Sequence, residues 1–356
     1  MHRSLFLAQH GLGQVQPNPL VGAVVVHDGK IIGEGWHREF GGPHAEVNAI
    51  NAVKDKSLLS SSTLYVNLEP CCHYGKTPPC TELIIKNRIP EVIIGTEDPY
   101  PEVAGKGIAK LKEAGIRVVA GVLEKECRHL NRRFFTYHEK KRPYVILKWA
   151  QSRDGFIGKG GKNEGRQEGK RAGMHETGEQ QRAWISSEIS LKQVHKWRSE
   201  EQAILVGTKT AITDNPQLTV RKWAGKNPVR ILIDRNLVVP PSSRMFDSAA
   251  HTLIFNGFKN EPVGNIEWIK IDFTAEIIPQ IFNILFEKKI QSIIIEGGTF
   301  TLNSFLETGL WDEARIFVSG KYFKTGVSAP AFPGTSWQTT KSGEDDLMYF
   351  YRTAGH

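Results

Sequence analysis

Apolar and polar positions form a repeating strand–helix pattern in the first part of the chain. The β-branched run at 20–28 predicts a strand, and Asp28-Gly29 predicts the tight turn into a second strand at 31–36. Apolar residues at helical spacing predict a helix over 44–54. Further strands are predicted at 63–68, 92–96 and 117–122, and further helices at 81–87 and 107–114. This alternation predicts an α/β/α domain whose largely parallel sheet is covered on both faces.

The alternation starts again after Pro143. Residues 127–142 predict one basic helix that ends at this proline, and the break indicates a domain boundary. Beyond it the pattern predicts strands at 144–149, 203–206, 230–234, 252–256 and 292–296, helices at 188–198, 276–288 and 299–308, and a last edge strand at 347–352. We therefore expect two α/β domains, residues 1–142 and residues 143–356.

Composition and charge narrow the class of protein. The 356 residues suit two domains, and 40% hydrophobic residues with a mean hydropathy of −0.33 allow packed cores. A net charge of +8 excludes an acidic disordered chain and favours an anionic partner, either a phosphorylated small molecule or a nucleic acid. No apolar run approaches the roughly 18 residues of a membrane span, and the N-terminus lacks the features of a signal peptide. We expect a cytoplasmic protein without a membrane partner.

The segment 158–182 differs from the rest in composition. It has seven glycines and many charges, and it lacks Val, Ile, Leu, Phe, Tyr and Trp. Such a segment cannot bury an apolar face, so we expect a mobile or disordered loop. Its charges are compatible with nucleic-acid contact, but a solvated loop explains them as well. A lid over a cofactor and an inert insertion are the two alternatives for its role.

Candidate metal ligands cluster in two motifs of the first half. Pro43-His44-Ala45-Glu46 and Glu69-Pro70-Cys71-Cys72, with Cys80 further on, supply one imidazole and two thiolates, a set that suits zinc. Three protein ligands leave the fourth position to a water, whose pKa the metal brings near 7. Glu46, two residues after His44, can then carry a proton to a leaving ammonia. The order H-x-E followed by P-C-x-x-C is the signature of zinc-dependent base deaminases.

The spacing of the cysteines departs from that signature. Eight residues instead of two separate Cys71 from Cys80, so both can bind one ion only if the intervening loop folds back. Two alternatives are a structural zinc site, in which Cys72 or His73 is the fourth ligand, and unconnected buried thiols. Cys127 is expected to be a buried thiol outside this cluster.

Four motifs of the first half together resemble the bifunctional deaminase/reductase family of riboflavin biosynthesis. They are Gln16-Pro17-Asn18-Pro19, Pro43-His44-Ala45-Glu46, the run from Glu69 to Cys80 with its internal Gly75-Lys76-Thr77-Pro78-Pro79, and Asp98-Pro99 with Val103-Ala104-Gly105. The resemblance implies a cytidine-deaminase-like domain that deaminates the aminopyrimidinone of a ribosylamino 5-phosphate to the uracil analogue. It also implies that His44, Cys71 and Cys80 hold Zn²⁺ and that Glu46 is the catalytic residue.

The same resemblance implies substrate contacts in the first half. Asn18 would orient the pyrimidine edge, although an Asn between prolines also caps turns. Lys76 would face the phosphate or the ribose, with a solvated lysine as the alternative, and Asp98 would be a ribose or loop contact. The family usually has Asn where this chain has Tyr100, so no contact is assigned there.

The second half resembles the reductase part of the same family. Its landmarks are Lys148-Trp149-Ala150, Trp184-Ile185, Val194-His195 with Arg198, the run from Ala203 to Thr210, Asp214-Asn215-Pro216 through Arg221, and Glu296-Gly297-Gly298. The resemblance implies a dihydrofolate-reductase-like domain that reduces the ribosyl group to ribityl with NADPH. By position, the cofactor would be lined by Ala150, Ser152, Trp184, Thr210, Asp214, Gly297, Gly298 and Thr299, and the substrate would contact Leu218 and Glu296. Trp184 is equally compatible with a core aromatic.

Physical features of the second half agree with a phosphate-binding reductase. A strand that ends in Glu296-Gly297-Gly298 before a helix can place backbone N–H groups on a pyrophosphate, and the missing G-x-G-x-x-G disfavours a Rossmann dehydrogenase. Arg198 and Arg221 are candidate clamps for the 5-phosphate, with a helix-surface and a loop charge as alternatives. Two arginines, 182 and 235, stand where the family commonly has Ser, and Arg235 can pair with a cofactor phosphate.

Two further function classes are alternatives to the bifunctional enzyme. A tRNA or DNA base deaminase with an accessory domain fits the basic charge, but such enzymes usually keep C-x-x-C, and the second half has no RNA-binding motif. A zinc-stabilised scaffold without activity is disfavoured by the intact Glu46 and ligand set. We therefore expect a small phosphorylated pyrimidine as the partner, no nucleic acid, and a homo-oligomer, either a dimer or a tetramer.

Overall fold

The computed structural model describes residues 1–74, 78–158, 185, 187–332, 334 and 338–352. The chain divides into two compact units. The first unit consists of Met1–Tyr144 and Pro279–Ser292, and the second unit consists of Val145–Ile278 and Ile293–His356. Within the described residues, no helix combines the length and the apolar character needed to cross a lipid bilayer.

The first unit contains a five-stranded sheet with the order β2-β1-β3-β4-β5. The strands are β1 Gly22–His27, β2 Lys30–Trp36, β3 Thr63–Val66, β4 Glu91–Ile94 and β5 Arg117–Val119. The helices are α1 His2–Ala8, α2 Ala45–Ala52, α3 Cys80–Lys86, α4 Lys106–Glu113, α5 Glu124–Leu130 and α6 Arg132–Lys140. Strands β2, β3, β4 and β5 run in the same direction, and only β1 is reversed: it pairs antiparallel with β3 and, through the Asp28-Gly29 hairpin turn, with β2.

Helix α2 packs directly on the backbone of β2. A Cβ atom on Gly33 would lie 2.4 Å from the carbonyl oxygen of Ala49, and one on Gly35 would lie 2.4 Å from the Ala49 nitrogen. Any side chain at these two positions would push the helix away from the sheet. The core below the helix is formed by fully buried aliphatic residues such as Val25, Leu64 and Ile84. Gly33 and Gly35 therefore allow α2 to pack close to the sheet, and this close packing determines the distance of its N-terminal residues from the sheet.

The second unit contains a ten-stranded sheet with the order β11-β12-β10-β9-β8-β13-β6-β14-β17-β16, and a two-stranded sheet, β15-β7. The strands are β6 Tyr144–Gln151, β7 Phe156–Gly158, β8 Ala203–Gly207, β9 Val229–Ile233, β10 Thr252–Asn256, β11 Glu261–Val263, β12 Ile266–Lys270, β13 Ser292–Glu296, β14 Glu313–Val318, β15 Val327–Ser328, β16 Gln338–Ser342 and β17 Asp345–Tyr351. The helices are α7 Glu188–Glu200, α8 Thr208–Asp214, α9 Ile277–Glu287 and α10 Thr299–Thr308. Most of α9 belongs to the first unit, through the segment 279–292.

The structure corrects two elements of the sequence prediction. The basic segment 127–142 is not one helix, because the chain breaks between α5 and α6 at Asn131. The side chain of Asn131 forms hydrogen bonds with the backbone of Leu20. The last predicted strand, β17, is not at an edge, because it pairs with β14 on one side and with β16 on the other. The sequence pattern also missed β14, although its residues are almost all buried.

Candidate active sites

Three side chains of the first unit form the one group of potential metal ligands among the described residues. The Nδ1 atom of His44 and the Sγ atoms of Cys71 and Cys80 all lie within 4.8 Å of one another. Nδ1 of His44 is 3.5 Å from Cys71 Sγ and 3.3 Å from Cys80 Sγ. One imidazole nitrogen and two thiol sulfurs in a tight triangle match the donor set of a zinc site with an open position. The long gap between the cysteines is therefore closed by the fold.

Two of these ligands stand at helix N-termini. His44 precedes the first residue of α2, and Cys80 is the first residue of α3. The positive ends of the helices favour a thiolate, and the backbone nitrogen of Cys80 also donates a hydrogen bond to Cys71 Sγ at 3.3 Å. The hydrogen bond between the two cysteine side chains lowers the pKa of Cys71 to about 4 and raises the pKa of Cys80 well above its usual value. Cys71 is thus electrostatically prepared to bind a metal as a thiolate.

Glu46 lies beside the ligand triangle without belonging to it. Its side chain is buried, with 3% of the residue exposed, in the first turn of α2. Burial raises the pKa of this carboxyl, and the nearby His44 opposes that effect. A carboxyl group with a raised pKa can both take up and release a proton at neutral pH. The position and the protonation behaviour of Glu46 therefore suit a proton carrier.

Neither alternative fourth ligand joins the triangle. Cys72 Sγ points to the carbonyl oxygen of Glu102, 3.9 Å away, and the ring of His73 faces Tyr100 with 6.3 Å between the ring centroids. The described residues thus leave one coordination position to a small molecule, as a catalytic zinc site requires. Cys127 is fully buried on α5, away from the triangle, as predicted.

Asn18 is held by a histidine that the sequence analysis did not single out. Nδ1 of His37 lies 3.0 Å from the carbonyl oxygen of Pro43 and must donate a proton to it. Burial lowers the pKa of His37, so the ring is neutral and its Nε2 can only accept, at 3.0 Å, from Nδ2 of Asn18. These bonds determine which end of the Asn18 amide is the NH₂ group. The carbonyl oxygen of Asn18 is left to a ligand.

The loop that contains Asp98 is tied to the cysteine motif by Glu69. The buried carboxylate of Glu69 accepts hydrogen bonds from the backbone nitrogens of Asp98, Gly105 and Ile108. Asp98 itself accepts a hydrogen bond from the Tyr100 nitrogen at 2.8 Å, and burial raises its pKa to about 7. The geometry of Asp98 thus supports the loop contact that was one of its two predicted roles.

In the second unit, Lys148, Arg198 and Glu296 form a largely buried charged cluster. Glu296 Oε2 accepts from Arg198 Nη2 at 3.0 Å, and Glu296 Oε1 lies 3.8 Å from Lys148 Nζ. Burial lowers the pKa of Lys148; it raises that of Glu296, but the two cations outweigh it and leave the pKa of Glu296 below its usual value. Glu296 Oε1 and Arg198 Nε have no hydrogen-bond partner among the described atoms. Buried polar atoms without partners are typical of a site that awaits a ligand.

His195 and Arg221 extend this cluster along α7 and the following loop. The backbone nitrogen of Arg221 donates to Nδ1 of His195 at 3.1 Å, and burial, together with the charges of Arg198 and Arg221, lowers the pKa of His195 to about 4. Arg198 is buried, so its helix-surface alternative is wrong. Leu218 is also buried and has a positive φ of 57°.

The predicted cofactor residues are only partly adjacent. The Gly298 nitrogen bonds Thr210 Oγ1 at 3.1 Å, so the Gly-Gly turn, the start of α10 and the start of α8 lie together. Asp214 is the exposed last residue of α8, about one turn beyond Thr210.

Side chains of two other predicted cofactor residues already have backbone or turn partners. Thr299 donates to the carbonyl oxygen of Ser328. The hydroxyl of Ser152 donates to Asp154 at 2.7 Å and accepts from the Phe156 nitrogen at 3.0 Å. Ala150 lies on β6 and pairs with Phe317 of β14. Ser152 and Thr299 can therefore offer a cofactor mainly their backbone groups.

Several sequence predictions fall outside the described residues. They are Lys76, Arg182, Trp184 and nearly all of the loop 158–182. Within the described residues, sequence reasoning missed His37, Glu69 and His195 as site residues, and it used Lys148 only as a landmark. Glu69, His195 and Lys148 lie in quoted motifs, whereas His37 lies between two of them, and the role of His37 depends on a partner in another segment, Asn18.

Two family models match the chain. Residues 1–96 match the zinc-binding region of cytidine and deoxycytidylate deaminases, and residues 143–339 match the RibD C-terminal domain. The first match contains His44, Cys71 and Cys80, and the second contains Lys148, Arg198 and Glu296.

Relatives and solved structures match over nearly the whole chain. Riboflavin biosynthesis protein RibD of Aquifex aeolicus is 42% identical over 92% of this chain and 88% of its own length, and that of Bacillus amyloliquefaciens is 41% identical over 96% and 89%. A crystal structure of the diaminohydroxyphosphoribosylaminopyrimidine deaminase/5-amino-6-(5-phosphoribosylamino)uracil reductase from Thermotoga maritima aligns with a TM-score of 0.85 and 38% identity, over 99% of this chain and 97% of the other. A RibD structure from Acinetobacter baumannii aligns with a TM-score of 0.83 and 28% identity, over 99% and 98%.

Proposed function

The chain belongs to the RibD family of bifunctional riboflavin-biosynthesis enzymes, and from this premise we propose how its residues divide the two reactions. It is a zinc deaminase and an NADPH-dependent reductase with a cytidine-deaminase-like and a reductase α/β domain. The observation that carries the assignment is the triangle of His44, Cys71 and Cys80 with buried Glu46 beside it. The nucleic-acid deaminase is not favoured, because the second half matches a reductase domain.

In the deaminase site, His44, Cys71 and Cys80 would hold zinc, and Glu46 would move protons. Zinc, when bound, supplies an activated water at neutral pH. Glu46 takes up the proton of the attacking water and delivers it to the departing amino group of the pyrimidine. Burial raises the pKa of Glu46, the direction that favours uptake of a proton by this carboxylate. The product is the uracil analogue and ammonia.

His37 is a positioning residue for Asn18 in this proposal. Its hydrogen bond to Pro43 fixes the tautomer, and the tautomer fixes the amide of Asn18. The Asn18 carbonyl oxygen then accepts a hydrogen bond from an N–H group on the edge of the pyrimidine. Lys76 and Asp98 remain proposed contacts to the phosphate, ribose or loop.

In the reductase site, Arg198 and Arg221 bind the 5-phosphate of the substrate, and Leu218 and Glu296 contact its pyrimidine and ribose. NADPH, when bound, supplies the hydride that converts ribosyl to ribityl. Lys148, buried beside Glu296, is positioned to donate the proton that the opened sugar oxygen needs. The cofactor would lie along Gly297, Gly298, Thr299, Thr210 and the end of β6 with Ala150 and Ser152, with Asp214, Trp184 and Arg235 as further proposed contacts.

We also propose the organisation of the whole enzyme. Residues 1–142 form the deaminase domain and residues 143–356 the reductase domain, and the chain acts in the cytoplasm as a homo-oligomer. A phosphorylated pyrimidine, rather than a nucleic acid, is the substrate. The cluster of Lys148, Arg198 and Glu296 supports this choice, because Arg198 is buried, the side chain of Lys148 is largely buried, and such an enclosed pair of cations suits one small anion.

Two coupled assays on the zinc-loaded chain test the proposed function. Ammonia release from the diaminopyrimidinone ribosylamino 5-phosphate reports the deaminase, and NADPH oxidation after that step reports the reductase. Adenosine-containing RNA is the competing substrate. Ammonia release from the RNA alone, or the absence of NADPH oxidation with deaminated product present, would contradict the proposal.

A further inference from the structure

Arg235 stands at the carboxyl edge of the parallel strands in the second unit. It follows Asp234 directly after β9, and its side chain is exposed. In the part of the chain that the structure describes, its guanidinium has no carboxylate partner. An arginine whose charge is not compensated by the protein is available to an anion from outside.

The side chain of Arg235 rests on a defined support. Its guanidinium carbon lies 5.7 Å from the ring centroid of Phe273, and its carbonyl oxygen accepts from the Gly257 nitrogen at 3.0 Å. A Cβ atom on Gly257 would lie 3.8 Å from Phe273 and 3.9 Å from Cγ of Arg235, so these residues pack against one another. The loop after β10 and the residue after β9 therefore hold the cation in place against an aromatic ring.

The strand order places this cation beside the expected dinucleotide. Strands β13, β8, β9 and β10 are parallel, and the chain runs outward from β8 to β10 before it returns to β13 on the other side of β8. In open parallel sheets, ligands bind at the carboxyl edge where the strand order reverses in this way. The Gly297-Gly298 turn and Thr210 line that point. Neighbouring strands are about 4.8 Å apart, so the end of β9 lies roughly 10 Å from the Gly297-Gly298 turn at the end of β13. A dinucleotide bound at the turn is long enough to extend to the end of β9.

The residue before Arg235 cannot serve as the carboxylate that recognises an unphosphorylated ribose. Asp234 is buried, and its carboxylate already accepts hydrogen bonds from Thr208 Oγ1 at 3.3 Å and from the Val239 nitrogen at 2.9 Å. An accessible acid at such a strand end binds a ribose 2′-hydroxyl, whereas an arginine accommodates a 2′-phosphate. Here the acid is occupied and the cation is exposed.

We infer that Arg235 binds the 2′-phosphate of NADPH and makes the reductase select NADPH over NADH. This inference rests on the proposed cofactor site. The guanidinium forms charge-assisted hydrogen bonds with the phosphate oxygens, and NADH offers only a hydroxyl at that position. The contact with Phe273 adds a support for the Arg235 side chain on this loop.

Calorimetric binding of NADP⁺ and NAD⁺ to the zinc-loaded full chain tests this inference. Arg235→Ser is expected to raise the Kd for NADP⁺ about tenfold or more and to leave the Kd for NAD⁺ unchanged, and Arg235→Lys to lie between. Lys259→Ser is the matched control: it removes an equal charge from the neighbouring loop, but Lys259 pairs with Glu261 and covers Trp268. This control should bind both dinucleotides like the unmodified chain.

Two results would overturn the inference about Arg235 but not the proposed cofactor site. One is an unchanged Kd for NADP⁺ in Arg235→Ser, and the other is an equal loss for NADP⁺ and NAD⁺, which would show that Arg235 does not distinguish the 2′-phosphate from a hydroxyl. The KM values for NADPH and NADH in the reductase assay should move in parallel with the Kd values. If the unmodified chain bound neither dinucleotide, the proposed cofactor site would fail, and the role of Arg235 with it.

Discussion

At the residue scale, a substitution of Glu46 tests whether metal binding and proton transfer depend on different residues. Glu46→Gln keeps the size and polarity of the side chain but cannot carry a proton. We expect the kcat of deamination to fall by about 10²- to 10⁴-fold while one zinc per chain is retained, because Glu46 lies outside the ligand triangle. Metal analysis and ammonia release measure the two effects. Glu39→Gln, at an exposed position, is the control, and loss of zinc from Glu46→Gln would identify Glu46 as a ligand.

The positioning role of His37 can be tested together with its hydrogen-bond partner, Asn18. His37→Phe keeps an aromatic ring but loses the bonds to Pro43 and Asn18. We expect the KM for the pyrimidine to rise about tenfold, with zinc content and the reductase reaction unchanged. If His37 acts through Asn18, the double variant with Asn18→Ala should be no worse than Asn18→Ala alone. Additive losses would show that His37 has a separate role.

His138 predicts a pH dependence of stability. Its ring lies among those of Phe134, Tyr137 and Tyr100, and burial, followed by the charge of Lys141, lowers its pKa from 6.5 to about 4. Between these values the unfolded chain binds a proton that the folded chain does not, so stability is full above pH 6.5 and falls as the pH drops towards 4. Because the ring is half exposed, we expect a loss of about 1–2 kcal/mol.

The measurement for His138 is the unfolding free energy at pH 7.5 and at pH 4.5–5, at roughly constant ionic strength. His138→Phe should reduce the difference between the two pH values, because phenylalanine does not titrate. His2→Phe, at an exposed position, should keep the full difference. An unchanged difference in His138→Phe would assign the acid sensitivity to other groups.

Residue types and motif spacing were sufficient to predict which potential metal ligands the fold brings together, because each of them lies in a motif whose residue types indicate their chemistry. The role of His37 was not predictable in the same way. It depends on one bond to Pro43 and another to Asn18, which is 19 positions away in the chain. The pairing of Lys148 with Glu296 was not predictable for the same reason, since these residues lie on different strands, β6 and β13, and no local sequence pattern connects them.

At the scale of elements, hydrophobic periodicity predicted most strands and helices but not the break at Asn131. The sequence of residues 127–142 predicts one basic helix, yet the side chain of Asn131 turns inward to the segment before β1. Its Oδ1 accepts from the Leu20 nitrogen at 2.8 Å, and its Nδ2 donates to the Leu20 oxygen at 2.9 Å. A helical pattern cannot reveal such a tertiary hydrogen bond. The break thereby supports the segment that carries Asn18.

This connection predicts the effect of Asn131→Ala. Asn67 still donates to the Leu20 oxygen in the variant, so only the Leu20 N–H loses its partner, at a cost of about 1–3 kcal/mol. Urea unfolding at saturating zinc should show this loss, and the KM for the pyrimidine should rise because the segment before β1 is less well held. Asn51→Ala, exposed on α2, should change stability by less than about 0.5 kcal/mol. Equal effects of the two variants would contradict this role of Asn131.

At the scale of the whole molecule, the two family matches and the two compact units divide the chain in nearly the same place, with one difference. The segment 279–292, which lies within the sequence range of the reductase match, belongs to the first unit. Its contacts there are specific: the hydroxyl of Tyr137 donates to the Phe286 oxygen at 2.8 Å, and Gln291 Nε2 donates to the Pro17 oxygen at 2.7 Å. No sequence pattern predicted this, because periodicity identifies a helix but not the unit on which it packs.

Separate expression of residues 1–142 and 143–356 tests both the proposed domains and this segment. All zinc ligands and Glu46 lie in 1–142, so this fragment should bind zinc and deaminate. It lacks 279–292, however, and leaves Pro17 and Tyr137 without these partners.

We therefore expect the 1–142 fragment to unfold at a lower urea concentration than the deaminase unit of the full chain, by about 1–3 kcal/mol for two lost hydrogen bonds and the Tyr137–Phe286 ring contact. Fusing residues 279–292 to it through a flexible linker should recover part of this loss, and the same fusion with Phe286→Ala and Gln291→Ala should not. If the unfused fragment were as stable as the unit in the full chain, the segment would contribute nothing to the first unit. If it bound zinc but released no ammonia, the deaminase site would require residues beyond 142.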